Sequence, residues 1–204
     1  MEAYRTETVG ELIVSVYQDE DSVSPREWDN LSSILAWHRR SWIGDGKRLR
    51  DGGLNLDGPE DAREMFEGRD VADVLGELAG SPIVAYLPLY LYEHGGMTIS
   101  TEPFGDPWDS GQVGFVFVTE ASLEKMGGNP ADAERVMVAE IADYDAYLRG
   151  DVWVYIVERA TTCDHGDEHR DTVDSYGGFI GDADYALREG IAAAQAEQEQ
   201  GVGA

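Results

Sequence analysis

The eleven residues from Pro82 to Tyr92, PIVAYLPLYLY, are apolar at both even and odd positions. Alternate side chains of a strand point to opposite faces, so a run of this kind predicts a strand covered on both sides and fixes the need for cover around it. Pro88 interrupts the run. Proline has no amide hydrogen to give a ladder, which predicts an edge position or a bulge at that residue.

The other segments follow the same logic. Leu12, Val14 and Val16 alternate with Ile13, Ser15 and Tyr17 within ELIVSVY, the period of a strand. Gly95 and Gly96 turn into a short MTIST segment, GQVGFVFVT predicts a further strand with Val113, Phe115 and Phe117 on one side, and these two are expected to lie antiparallel with the loop between them packed over the sheet's end. DVWVYIVER reads as a strand with apolar residues on both faces, followed by a shorter one near Val173 to Ile180.

Helical spacing marks Leu31, Ile34, Leu35 and His38 in LSSILAWHRR, with Asn30 or Ser32 as cap, and Val71, Val74, Leu75 and Leu78 before a stop at Gly80. A helix start at Pro59 leads into DAREMFEG. Asn129 caps a further helix with Pro130 at its first position and Met137, Ile141, Tyr144 and Leu148 along one stripe. A terminal helix is expected from about Asp182 to Gln198. Paired strands with separate helices predict an α+β class, one domain over residues 1–204 with a mainly antiparallel sheet and several packed helices. A Gly- and Asp-rich flexible insert is expected at about 44–60, and a frayed tail at about 197–204.

Charge narrows the function. There are 41 acidic and 15 basic residues, a formal net charge of −26, which repels phosphate backbones and anionic lipid headgroups and attracts basic protein surfaces. Direct nucleic-acid binding and membrane binding are therefore not expected. Two causes fit the charge. One is a high-salt cytoplasm, consistent with only two lysines, Lys47 and Lys125, against thirteen arginines. The other is mimicry, in which carboxylates stand in for the phosphates of DNA. Cys163 is the sole cysteine, so no intrachain disulfide forms, and with no apolar stretch of membrane-spanning length or basic leader the expected compartment is the cytoplasm.

Four stretches, SPREWDNLSSILAWHRR, LPLYLYEHGGMTISTEPF, PWDSGQVGFVFVT and YDAYLRGDVWVYIVE, resemble a family of phage and mobile-element proteins with no assigned activity. The resemblance implies an accessory gene of a virus or integrated element. The loop after Trp42 and the segment TTCDHGDEHRDTVD depart from that pattern as local elaborations.

Three constellations carry candidate chemistry. Arg26, Glu27, Asp29, His38, Arg39 and Arg40 place both signs of charge around two tryptophans, Trp28 among them, a group suited to anion binding through Arg39 and Arg40 or to acid–base work by His38 near Asp29; the simpler reading is an Arg–carboxylate network that locks a loop. His94 beside the loop that carries Asp106, Trp108, Asp109, Ser110 and Gln112 is the second, with His94, Asp106, Asp109 and Ser110 as candidate catalytic groups and Trp108 and Gln112 as binding groups. The nucleophile-elbow glycines of a serine hydrolase are missing around Ser110. Cys163, His165 and His169 form the third, three potential zinc ligands without a fourth, for which a solvated loop is the simpler reading. No phosphate-binding loop, dinucleotide fingerprint or His-Glu-x-x-His pair occurs, and no cofactor or metal is expected. The leading expectation is a non-catalytic accessory protein that binds a host or viral protein, in its sharpest form a basic nucleic-acid-handling one. The alternative is a small hydrolase built around His94.

Overall fold

The computed structural model describes residues 2–38, 43–45, 61–163, 165 and 168–201. The chain is α+β with antiparallel strand pairing throughout, as expected, but its strands form two separate four-stranded sheets instead of one. Its contacts gather into two compact units, one made of Met1–Val23 with Ala146–Ala204 and the other of Ser24–Asp145.

In the terminal unit, strands β1 (Arg5–Val9) and β2 (Leu12–Gln18) form a hairpin closed by Gly10, whose φ of +57° suits the first position of a tight two-residue turn. The sheet order is β1-β2-β7-β8, with β7 at Val152–Thr162 and β8 at Glu168–Ile180, both longer than the sequence predicts. Leu12, Val14 and Val16 are fully buried against Tyr155, Val157 and the terminal helix (Ala183–Gly201) through Ala186, Leu187 and Ala194. Gly190 makes that approach possible, because a Cβ there would stand 2.7 Å from Val14 Cγ1. The frayed tail expected from 197 is in fact helical through Gly201, and Gln198 Nε2 donates to Val9 O at 2.5 Å. Residues 202–204 lie outside the described set.

In the central unit the sheet order is β3-β6-β4-β5, with β3 at Ser33–Ala36, β4 at Ile83–Glu93, β5 at Met97–Ser100 and β6 at Ser110–Thr119. The helix predicted over LSSILAWHRR is therefore a strand. Ile34, Leu35 and Ala36 are all fully buried, three consecutive residues that a one-striped helix cannot hide together but that a strand covered on both faces does. Asn30, the expected cap, instead donates to Pro25 O and Trp28 O. Gly114 lets β3 close on β6, since a Cβ on it would meet Leu35 O at 2.1 Å.

Pro88 lies beyond the reach of β5, which pairs only with Tyr90–Glu93, so β4 is an edge there on the β5 side, and a register shift follows between Leu89 and Tyr90. The edge reading of that proline holds; the bulge does not fall on it, since Pro88 pairs in register with Phe115. Helix α1 (Asp61–Glu64) and helix α2 (Val71–Ala79) carry Met65, Phe66, Val71 and Leu75 onto Leu35, Phe115 and Phe117. Asp70 caps α2 by accepting from Ala72 N and Asp73 N, and Gly80 closes it at φ +64°. Helix α3 (Glu120–Met126), which the sequence reading did not separate from the strand before it, starts at a reciprocal Thr119–Ser122 cap. Helix α4 (Ala133–Leu148) follows the turn opened by Asn129 and buries Met137, Ile141 and Tyr144. It is tied at Glu140 to the amides of Leu31 and Ser32, and at Asp145 to Thr98 and Ile99 N. The terminal helix becomes α5.

Candidate functional site

The end of the central sheet at which β3 and β4 finish and β6 begins opens into a cleft of about 670 Å³. Antiparallel pairing brings the pieces together: Tyr92 stands opposite Ser110, and Trp37 N donates to Val113 O at 2.6 Å. Trp37 and His38 leave β3, Leu91 and Glu93 end β4, and Asp109 to Val113 enter β6. Arg63, Glu64 and Glu67, from α1 and the turn after it, form a further wall, and Trp108 stands at the cleft 92% exposed.

Of the candidate binding residues, His38, Trp108 and Gln112 share this cleft. His38 is buried, with Nε2 3.5 Å from Glu93 Oε2. Gln112 Nε2 donates to Gly114 O at 3.3 Å. Arg39, with Arg40, lies outside the described residues. Arg26, Trp28 and Asp29 do not line the cleft. Arg26 is 6% exposed, and Nη2 donates to Ser32 O and Asp45 Oδ2, both at 2.7 Å, while Glu140 Oε2 stands 3.6 Å from Nη1. Arg26, a candidate binding residue, is instead the centre of a buried Arg–carboxylate network that fastens the segment before β3, the simpler reading expected for this group. Trp28 is 48% exposed, and Asp29 is exposed 3.6 Å from Lys125 Nζ.

The expected flexible insert is partly fixed by the same network. Gly44 bridges Leu35 and receives no steric room for a side chain, a Cβ there falling 2.4 Å from Ile34 Cγ2. Asp45 is 4% exposed and accepts from Ile34 N at 2.8 Å, and Tyr144 Oη accepts from Gly44 N. Residues 46–60 of the insert lie outside the described set.

The four candidate catalytic residues split into two pairs of different use. His94 Nδ1 and Asp109 Oδ2 are 2.9 Å apart, exposed, with the Tyr92 ring stacked beside the imidazole at 6.2 Å. Asp106 shapes the turn, its Oδ1 accepting from Trp108 N at 2.8 Å and Asp109 N at 3.3 Å, and the Ser110 hydroxyl donates to the Asp106 carbonyl. That bond occupies the Ser110 proton on backbone, so the arrangement holds an imidazole–carboxylate pair but no serine aligned on it as a nucleophile. Across the other hairpin Cys163 is half-buried and His165 and His169 are exposed, Asp164 and Asp167 lie outside the described residues, and no group of three His, Cys, Asp or Glu suited to a metal ion occurs among the described ones.

Sequence reasoning missed Trp37, Arg63, Glu64, Glu67 and Glu93 at the cleft, and Asp45 and Glu140 around Arg26. Glu93 adjoins His94 and Trp37 adjoins His38, a signal available in the motifs. Asp45 and Glu140 meet Arg26 across 19 and 114 positions, a separation no local spacing encodes. Chemically, the cleft offers aromatic surface and carboxylates. Among the described residues lining it, Glu64, Glu67, Glu93 and Asp109 face one arginine, Arg63, and one histidine, His38.

Compared with models of protein families, with curated proteins and with solved structures, the chain finds no match in any of the three. No helix among the described residues is long and apolar enough to cross a membrane.

Proposed function

We propose that the protein is a non-catalytic accessory factor of a phage or mobile element, acting in the host cytoplasm by binding a basic, nucleic-acid-handling protein. The observation that carries this reading is the excess of 41 carboxylates over 15 basic side chains. A field of that size steers basic surfaces toward the protein and keeps nucleic acid away. The resemblance of its motifs to those of phage and mobile-element proteins suggests the biological setting. A DNA-mimicking surface makes a specific demand: duplex DNA and the protein must compete for one groove on the partner.

Capture from host lysate at low salt and at the host's own ionic strength, followed by elution with duplex DNA, tests this. A basic DNA- or RNA-handling protein that survives the higher salt and leaves with DNA is the expected result. A partner that duplex DNA fails to displace, or no retained protein at either salt, overturns it. A hydrolase built around His94, which meets the cleft only through Asp109, has one observation in its favour, the 2.9 Å His94–Asp109 pair. Loss of function in His94→Ala with retained folding and undiminished partner capture selects that reading, because the His94 side chain is 72% exposed and does not line the cleft.

A further inference from the structure

We infer that the cleft at the end of the central sheet receives an arginine side chain of the basic partner. The inference rests on the partner-binding reading above and assigns it a place. Three features of the cleft select the ligand. First, the cleft has the size of a small-molecule pocket, about 670 Å³, which accommodates one long side chain with its flanking backbone. Second, it presents tryptophan at two levels: Trp37 half-buried within it and Trp108, 92% exposed, at its mouth. The Trp108 indole offers an open face at the cleft, and planar cations bind such faces. Third, the carboxylates of Glu64, Glu67, Glu93 and Asp109 outnumber the cations on the described lining, and the side chains of Glu93 and Asp109 keep 39% and 40% exposure, open to a ligand.

Guanidinium satisfies all three more fully than an ammonium. It stacks flat on indole, stays charged at any working pH, and offers paired N–H donors that match one carboxylate. Lysine supplies only a point charge and a flexible stem. Phosphates and acidic peptides are repelled by the same lining. Arginine is also the residue with which nucleic-acid-handling proteins hold phosphate, so a cleft that takes it removes a working residue from the partner's groove.

The test uses the full chain and defined probes: acetyl-Gly-Arg-Gly-Arg-Gly-amide, the same peptide with lysine, and one with glutamate, titrated while tryptophan fluorescence is followed. The arginine peptide binds tightest, quenches fluorescence and weakens with salt. Trp108→Ala, whose exposed side chain contributes nothing to the core, retains the far-UV spectrum of the parent and loses about two- to thirty-fold in affinity, the span of an exposed to a desolvated cation–π contact. Equal binding of the arginine and lysine peptides, or undiminished binding by Trp108→Ala, overturns the cleft assignment while leaving a dispersed acidic binding surface intact. Failure of the parent to bind either basic peptide, together with failure of the DNA-elution capture, removes the partner reading as well.

Discussion

Removing the Asp45 carboxylate is expected to cost the central unit about 4 kcal/mol, near the middle of the range for breaking a buried ion pair from one side. Arg26 and Asp45 side chains are 4% and 3% exposed, and Asp45 Oδ2 accepts both the guanidinium at 2.7 Å and Ile34 N at 2.8 Å. Asp45→Ala deletes a charge-assisted hydrogen bond worth about 1.5 to 3 kcal/mol and leaves the buried Ile34 amide unpaired at about 1 to 3 kcal/mol. Arg26 has little slack to absorb the loss. Its Nε and Nη1 already lack hydrogen-bond partners among the described residues, and Glu140 stands 3.6 Å from Nη1, outside hydrogen-bonding distance. Urea unfolding followed by tryptophan fluorescence reads the change, since Trp28, Trp37 and Trp108 all lie in the central unit. With a slope of about 2 to 3 kcal/mol/M the midpoint falls by about 1.5 M. The double variant Arg26→Met with Asp45→Leu restores much of it, because the pair then leaves no uncompensated charge. A midpoint shift below about 0.3 M for Asp45→Ala, or a double variant as unstable as the two singles added, refutes the view that Arg26 is held as half of a structural pair and returns it to the candidates for ligand binding.

Gly114→Ala forces a Cβ to within 2.1 Å of Leu35 O and 2.7 Å of Ala36 Cα, both backbone atoms, so β3 must part from β6; a loss of about 3 kcal/mol, seen as a fall of about 10 °C in melting temperature, is expected, and an unchanged melting curve contradicts that packing. Tyr155 is pushed up to about 12 by burial first and then by its hydrogen bond to Asp174. The fold therefore favours the neutral phenol, and the stability it contributes is whole below the unfolded value near 10 and disappears as pH rises from there through 12; Tyr155→Phe flattens that alkaline loss and costs about 1 to 2 kcal/mol at neutral pH by urea titration. Asp143 is raised by burial first and by Glu140 second, so its ionised form opposes folding at neutral pH. Asp143→Asn is expected to stabilise the protein at pH 7 by a few tenths of a kcal/mol, a gain that vanishes below pH of about 4, where the parent carboxyl is protonated as well.

Which parts of this molecule were legible in its sequence follows from the range of the interactions that set them. Strand β2 was readable because Leu12, Val14 and Val16 alternate against one helix, a pattern written in adjacent residues. Helix α2 was readable because its stripe, its Asp70 cap and its Gly80 stop all lie within eleven residues. Ser33–Ala36 misled because Leu31, Ile34, Leu35 and His38 satisfy helical spacing by accident, while the burial of β3 depends on β6 some eighty positions away and on Leu75 of α2, forty positions from Leu35. The candidate site shows the same division. The His94–Asp109 contact and the turn made by Asp106 join residues at one strand end, so the motif that carries them already held their geometry. The Arg26 network and the cleft's Glu64 and Glu67 come from segments far apart in sequence that meet only in the folded unit. Charge obeys the opposite rule, being a sum that needs no fold, and a net −26 is as plain in the string of letters as on the surface. What the fold adds is concentration: it brings carboxylates from α1, β4 and the start of β6 around an exposed indole, turning a diffuse negative field into one recess with a shape. A field attracts any basic surface, whereas a recess with an aromatic wall discriminates between cations and favours a planar guanidinium over an ammonium.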